Sequence, residues 1–295
     1  MVLRDSQLLV IPSIASVVFW ISATLLFFAY LGYPLLMALL ALGKGRPPGR
    51  PATDHPTVSV VLVAHNEGPR IVGRLENLLT SDYPAERLEV IVVSDDSTDE
   101  MNQKVMQIGS ERVRLIEQST RRGKAAGLNA GVSAARGEIV VFADARQTFG
   151  TRTIRVLAER LADPAVGVVS GELEIPASEA GPAQGLDFYW KLERWLRKSE
   201  SEVDSCIGCT GAVYAVRKRL FTPLPEGTIL DDVVIPMRIA IDGFRVAYCR
   251  EAIAFDPQRL APEIEMRRKQ RTLAGNFQML FRYPGWLVPW RNRLW

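Results

Sequence analysis

Arg121-Arg122-Gly123-Lys124-Ala125-Ala126-Gly127-Leu128-Asn129, followed by the apolar run Ile139-Val140-Val141-Phe142-Ala143 that stops on Asp144, decides how this chain folds. The pattern predicts a helix over Lys124–Ala135 and then a buried strand over Ile139–Ala143. A small-residue loop that carries cations suits a diphosphate. A carboxylate at the end of a buried strand suits a metal ion or a sugar. Together the two features suggest an enzyme that handles a nucleotide-linked substrate.

The same alternation extends to both sides. Strand-length apolar runs fall at Val58–Ala64, Leu88–Ser94, Val113–Glu117 and Val166–Gly171, with helical patterns near Arg70–Ser81, Asp99–Ile108 and Thr151–Leu161. Such alternation predicts an α/β fold with a mostly parallel, doubly wound sheet covered on both faces. Ligands of open α/β sheets collect at the carboxyl ends of the strands. Those ends carry Ala64-His65-Asn66-Glu67, Asp95-Asp96-Ser97-Thr98-Asp99 and Asp144-Ala145-Arg146.

Before this domain, Gln7 to Gly43 contains no charged residue. At about 1.5 Å per residue, a helix over most of it exceeds a bilayer core of about 30 Å. One transmembrane helix over roughly Ile14–Leu42 is expected, with Pro34 near its end as the candidate kink. Lys44, Arg46 and Arg50 follow with no acid before Asp54, whereas Arg4 is offset by Asp5. The positive-inside rule then places the large domain in the cytoplasm of a single-span membrane protein. The three cysteines agree, since they cannot all pair and a cytosolic domain keeps thiols reduced. Cys206 and Cys209 form one CxxC, which lacks the further ligands of a zinc site. A net charge of +3 is too small to argue for nucleic acid. The expected organisation is a membrane segment over 1–43, a Gly/Pro-rich linker over 44–56, a catalytic domain over 57–283 and an interfacial tail over 284–295.

The ordered set Val58–Glu67, Val93–Asp99, Gly123-Lys124-Ala125 and Asp144 resembles the nucleotide half of a family 2 glycosyltransferase. Leu230-Asp231-Asp232 is similar to that family's base motif, and Arg268-Lys269-Gln270-Arg271-Thr272 to its (Gln/Arg)-x-x-Arg-Trp motif. The resemblance implies a GT-A, Rossmann-like fold. It also implies an inverting transferase that takes a sugar from a nucleoside diphosphate sugar, UDP-linked in the first instance. In the donor site it places Ala64, Asn66, Glu67, Asp95, Lys124, Asp144, Arg146, Arg268 and Arg271. Glu67 and Asp95 would read uracil and ribose; Asp99 either joins them or caps the next helix. Lys124 would meet the diphosphate.

Asp144 stands first in the family's Asp-x-Asp, which holds a divalent cation, Mg²⁺ or Mn²⁺, on the diphosphate. The third position here is Arg146, which cannot ligate a metal; it either pairs with phosphate directly or forms a salt bridge. Asp232 is expected as the catalytic base, with Asp231 beside it orienting the loop or the acceptor. Thr210-Gly211-Ala212 resembles the acceptor loop. Trp190 belongs to an aromatic face on a helix near Leu186–Val203, able to stack on a sugar, pack on the core or touch the membrane. Thr272 replaces the tryptophan of processive synthases, which puts long-chain processivity in doubt. The acceptor expected from the resemblance is a polysaccharide or a lipid-linked molecule.

A different class, a non-catalytic nucleotide-sugar-binding membrane subunit, is suggested by Arg146 and Thr272. A base has no use in such a subunit, and Asp232 therefore favours the enzyme. A nucleotidyltransferase leaves Asp232 and the Arg268/Arg271 pair unexplained. Trp286, Trp290 and Trp295 interleave with Arg291 and Arg293, a composition suited to a membrane surface. Relatives of this kind continue into further transmembrane helices, so a truncated product or a missing membrane partner is expected.

Overall fold

The computed structural model describes residues 13–43, 55–175, 184–257 and 262–288. The N-terminal apolar tract is a continuous helix made of α1 (Ile14–Phe27), a π turn (Phe28–Gly32) and α2 (Tyr33–Leu42). Ser13 caps it, its Oγ accepting the Ser16 N–H at 3.2 Å. Pro34 has no N–H to offer the carbonyl one turn back. The wider π turn, in which the Tyr33 N–H reaches the Phe28 carbonyl, stands where that bond is lost and lets the helix run on. The 29-residue helix is long and apolar enough to cross a membrane.

The domain that follows contains β1 (Val58–Ala64), α3 (Ile71–Leu79), β2 (Leu88–Asp95), α4 (Met101–Gln107), β3 (Val113–Gln118), α5 (Lys124–Ala134) and β4 (Ile139–Ala143). After them come β5 (Thr148–Phe149), α6 (Thr153–Arg160), β6 (Val166–Glu174), α7 (Gln184–Val203), β7 (Val213–Arg217), α8 (Asp231–Ile241), β8 (Arg245–Phe255) and α9 (Pro262–Arg282). One eight-stranded sheet has the order β3-β2-β1-β4-β7-β6-β8-β5. Its first four strands are parallel. Beyond β4 it becomes mixed: β7 is antiparallel to both neighbours, β6 and β8 are parallel, and β5 is antiparallel to β8.

Side chains alternate between two cores, as a pleated strand requires. Val60 and Leu62 of β1 pack with Ile71, Leu75, Met101 and Leu157 on one face. Val61 faces Leu128, Val132, Ile235 and Ile239 on the other. α5 lies unusually close to β1, since a Cβ at Gly127 or Gly131 would stand 2.5 or 2.4 Å from Val63 or Val61. Glycine at both positions lets the helix that begins with Lys124 settle onto the sheet.

β8 escaped the sequence reading because Arg250-Glu251 interrupts its apolar run. The structure absorbs that interruption as a register shift, in which pairing passes from Ser170↔Tyr248 to Glu172↔Ile253. α2 packs against α7, with Tyr33, Pro34, Met37, Ala38 and Ala41 forming its covered stripe, while the large apolar side chains of α1 are exposed. At the other end, Trp286 stacks on Tyr283 with ring centroids 4.3 Å apart, and both pack on the core cluster that contains α5 and α8. The linker over 44–54 and the tail over 289–295, with Trp290, Arg291, Arg293 and Trp295, lie outside the described residues.

Candidate active site at the carboxyl ends of the strands

The order β2-β1-β4 brings the ends of these strands side by side. Asn66 follows β1 in a left-handed conformation (φ 55°), and its Oδ1 accepts the Thr98 N–H at 2.8 Å. His65 Nδ1 lies 2.8 Å from the Asp95 carbonyl, so the loops after β1 and β2 are locked together. Asp99 accepts the N–H groups of Gly68 (2.8 Å) and Met101 (3.2 Å), which ties the loop after β1 to the start of α4. Glu67 sits on this rim, paired with Arg70 at 2.8 Å.

Asp95 is buried, and both its oxygens are used: Oδ1 accepts the Arg122 N–H at 2.8 Å and Oδ2 the Gly123 N–H at 2.9 Å. Its carboxylate therefore shapes the basic loop and sets the start of α5. Lys124, the first residue of α5, extends Nζ to Asp144 Oδ1 at 3.2 Å and to Asp231 Oδ2 at 3.4 Å. Burial works to lower the Lys124 pKa, but Asp144, Asp231 and Asp232 outweigh it and raise it. The ammonium is thus held charged at the centre of the site.

Sequence reasoning missed Arg74, which reads as an ordinary polar position of α3. It is 2% exposed, donates from Nε to the Asp144 carbonyl at 3.0 Å and lies 4.1 Å over the Phe149 ring. Asn77 accepts from Arg74 Nη1 at 2.6 Å and bonds the Phe149 N–H and carbonyl at 2.8 and 2.9 Å. Burial pushes the Arg74 guanidinium down to about 9, against the attraction of Asp144. This brace fixes the turn that carries Asp144.

Asp231 and Asp232 open α8, where acids favour the helix dipole. Asp231 is buried and accepts from Tyr214 Oη at 3.4 Å. The Asp232 carboxylate faces Gly211; a Cβ there would stand 2.6 Å from Oδ2. Pro236, one turn on, has no N–H for the Asp232 carbonyl, and the Cys209 N–H takes that place at 2.8 Å. The Thr210 N–H donates to Ser170 Oγ at 2.9 Å, and Thr210 Oγ1 accepts from Arg197 at 2.8 Å. Burial first, and then the neighbouring Asp231, push the Asp232 carboxyl up to about 6 despite Lys124. That is the range in which a carboxylate works as a general base.

Arg146 is ion-paired with Asp256, which also accepts from Gln147 at 3.2 Å. Arg268 of α9 stands near this pair, its pKa lowered by burial and then by Arg146, with Asp144 opposing. Arg271 reaches the Ile229 carbonyl at 3.3 Å, and Gln278 accepts the Ile229 N–H at 3.0 Å. α9 thus steadies the loop that enters α8. A cavity of about 410 Å³, lined by Pro69, Arg70, Arg74, Ala145, Arg146 and Pro257, adjoins the Asp144 turn. Trp190 lies on α7, but its side chain is outside the described positions.

Among the described residues, no group of three or more His, Cys, Asp or Glu side chains is placed to hold a metal ion. Asp144 alone, together with diphosphate oxygens and water, still fits a hard ion such as Mg²⁺ or Mn²⁺, which commonly takes few protein ligands beside a phosphate.

Residues 59–221 match the model of glycosyl transferase family 2. A probable glycosyltransferase, YdaM, of Bacillus subtilis is 24% identical over 77% of this chain and 57% of its own length. A beta-monoglucosyldiacylglycerol synthase of Synechocystis is 24% identical over 94% of this chain and 62% of its own length. The chain therefore spans a little over half of these curated relatives. Among solved structures, the mannosyltransferase PcManGT of Pyrobaculum calidifontis, in complex with GDP-Man and Mn²⁺, superposes with a TM-score of 0.72. It is 30% identical, the match covering 88% of this chain and 75% of that one. The mixed α/β sheet is of the GT-A type.

Proposed function

The chain belongs to glycosyl transferase family 2, and we propose that it moves a sugar, with inversion, from a nucleoside diphosphate sugar to a polysaccharide or lipid-linked acceptor. The observation that carries this reading is the convergence of Lys124, Asp144, Asp231 and Asp232 at the strand ends, with Asp232 pushed up to about 6. Asp232 takes the proton of the acceptor hydroxyl. The oxygen attacks the anomeric carbon as the bond to the diphosphate breaks on the opposite side, and the electron pair leaves with the nucleoside diphosphate. Lys124 faces the charge that builds there. A divalent ion held through Asp144 would supply further charge stabilisation when bound. No carboxylate nucleophile or glycosyl-enzyme is needed.

The donor-side roles of Ala64, Asn66 and Glu67, and the acceptor-side roles of Thr210, Gly211 and Trp190, are part of this proposal. A base set beside Gly211 serves chemistry rather than simple nucleotide capture; that is why an enzyme is preferred to a binding subunit. Helix 14–42 is read as the anchor, and the cations at Lys44, Arg46 and Arg50 support a catalytic domain on the cytoplasmic face. The Synechocystis relative's name, a diacylglycerol glycoside synthase, supports a lipid-linked acceptor.

The test is a panel of UDP- and GDP-sugars with the membrane-bound protein, Mn²⁺ or EDTA, and lipid extract as acceptor. Sugar incorporation or donor hydrolysis with one member is expected, reduced at least about tenfold by EDTA. Binding of a nucleotide sugar with no turnover under any condition would reverse the preference.

A further inference from the structure

The N-terminal helix is joined to the candidate base by a short series of contacts. Tyr33 of α2 donates from Oη to Glu200 Oε1 at 2.7 Å. The other oxygen, Oε2, accepts the Ile207 N–H at 3.3 Å. Two residues later the Cys209 N–H bonds the Asp232 carbonyl at 2.8 Å, and Gly211 then lies against the Asp232 carboxylate. Glu200 is only 6% exposed, and burial raises its pKa against the opposing pull of its hydrogen bonds and Arg197. A buried carboxyl is costly unless its oxygens are hydrogen-bonded, as both are here.

The end of α7 cannot shift to suit α2, because it is sewn to β8. Ser201 Oγ accepts the Tyr248 N–H and Ser205 Oγ the Val246 N–H, both at 2.9 Å, while Arg245 donates to the Ser201 carbonyl at 2.6 Å. The segment from Cys206 to Gly211 is held by the Val246 carbonyl (Cys206 N–H, 3.0 Å), the Asp232 carbonyl and Ser170, and Glu200 is the side chain that links it to the apolar helix.

We propose that Glu200 is a positioning residue through which docking of Tyr33 on α7 sets the place of the 206–211 loop relative to Asp232. The N-terminal helix is then part of the acceptor side of the site as well as an anchor. The proposal rests on the transferase reading for its catalytic consequence, but the mechanical link is measurable without turnover.

Amide hydrogen exchange on the full-length chain in detergent, for Tyr33→Phe, Glu200→Ala and Glu200→Gln, tests it. Exchange at Ile207 and Cys209 should rise about tenfold or more in Tyr33→Phe and Glu200→Ala, with the β1 amides unchanged. Glu200→Gln keeps a carbonyl oxygen for one donor and should fall between. In the same samples, transfer at saturating acceptor should drop about fivefold or more while the Kd for UDP or GDP stays within about twofold. Wild-type exchange at both amides in Tyr33→Phe and Glu200→Ala would overturn the proposal, as would a rise spread evenly over β1. If the exchange changes appear but the wild type transfers no sugar, the link stands and the proposed activity fails.

Discussion

The proposed chemistry rests on two adjacent residues that share one type of side chain and differ in surroundings. Asp231 is turned toward Lys124 and Tyr214; Asp232 lies behind Gly211 with its pKa raised to about 6. A base must be ionised to work, so kcat/KM is expected to fall as pH drops through about 6 and to level off above it. A pH–rate profile checks this; an acid limb near 4 would mean that Asp232 is solvated during turnover. The same shift has a cost in stability. A carboxyl whose folded pKa lies above its unfolded value of about 3.9 contributes stability below that value and loses it as pH rises through the folded pKa. Without metal or nucleotide, Asp232→Asn should therefore raise the neutral-pH stability by on the order of 1–3 kcal/mol, measured by denaturant unfolding. The sequence revealed the carboxylates because they stand in ordered motifs. It did not reveal Arg74 or Asp256, whose partners lie far away in the chain and whose roles arise only from packing.

At the scale of elements, the strands of the parallel half were legible because each is mainly apolar, with no more than a single polar interruption (Ser59, Glu89 or Arg114) before its polar end. The second half was less so: β8 carries a charged interruption that only pairing with β6 explains. α8 offers a sharper case, since Pro236 inside a helix looks like a fault. Its effect is to leave the Asp232 carbonyl for the Cys209 N–H. Pro236→Ala should restore a competing helix bond. Helix stability should then rise, a proline in a helix interior being about 3 kcal/mol unfavourable, while transfer falls about threefold or more as the 206–211 loop loosens. Thermal unfolding and initial rates, measured together, check it. Higher stability with undiminished transfer would show that the loop does not depend on this bond.

The whole molecule pairs a GT-A domain with an apolar helix whose large α1 side chains are exposed. α9 adds a second apolar surface: Met266, Leu273, Phe277, Leu280 and Phe281 are exposed on it, with Arg267 and Lys269 nearby. A chain lacking residues 1–43 should still bind anionic vesicles and release them as salt is raised, whereas the full chain should need detergent for extraction. Vesicle flotation checks both, and a truncated chain that ignores anionic vesicles would remove α9 from the membrane surface. The span was readable from its lack of charge, but its docking on α7 was not, because Tyr33 and Glu200 meet only in the folded chain. The central claim is that Asp232 performs the chemistry on a donor that other residues bind. Its most direct test is Asp232→Asn measured for both transfer and nucleoside diphosphate affinity, with Asp144→Ala alongside. Asp232→Asn should lose about 10²-fold or more in turnover at nearly unchanged affinity, while Asp144→Ala loses affinity as well. Turnover by Asp232→Asn at the wild-type rate would contradict the account.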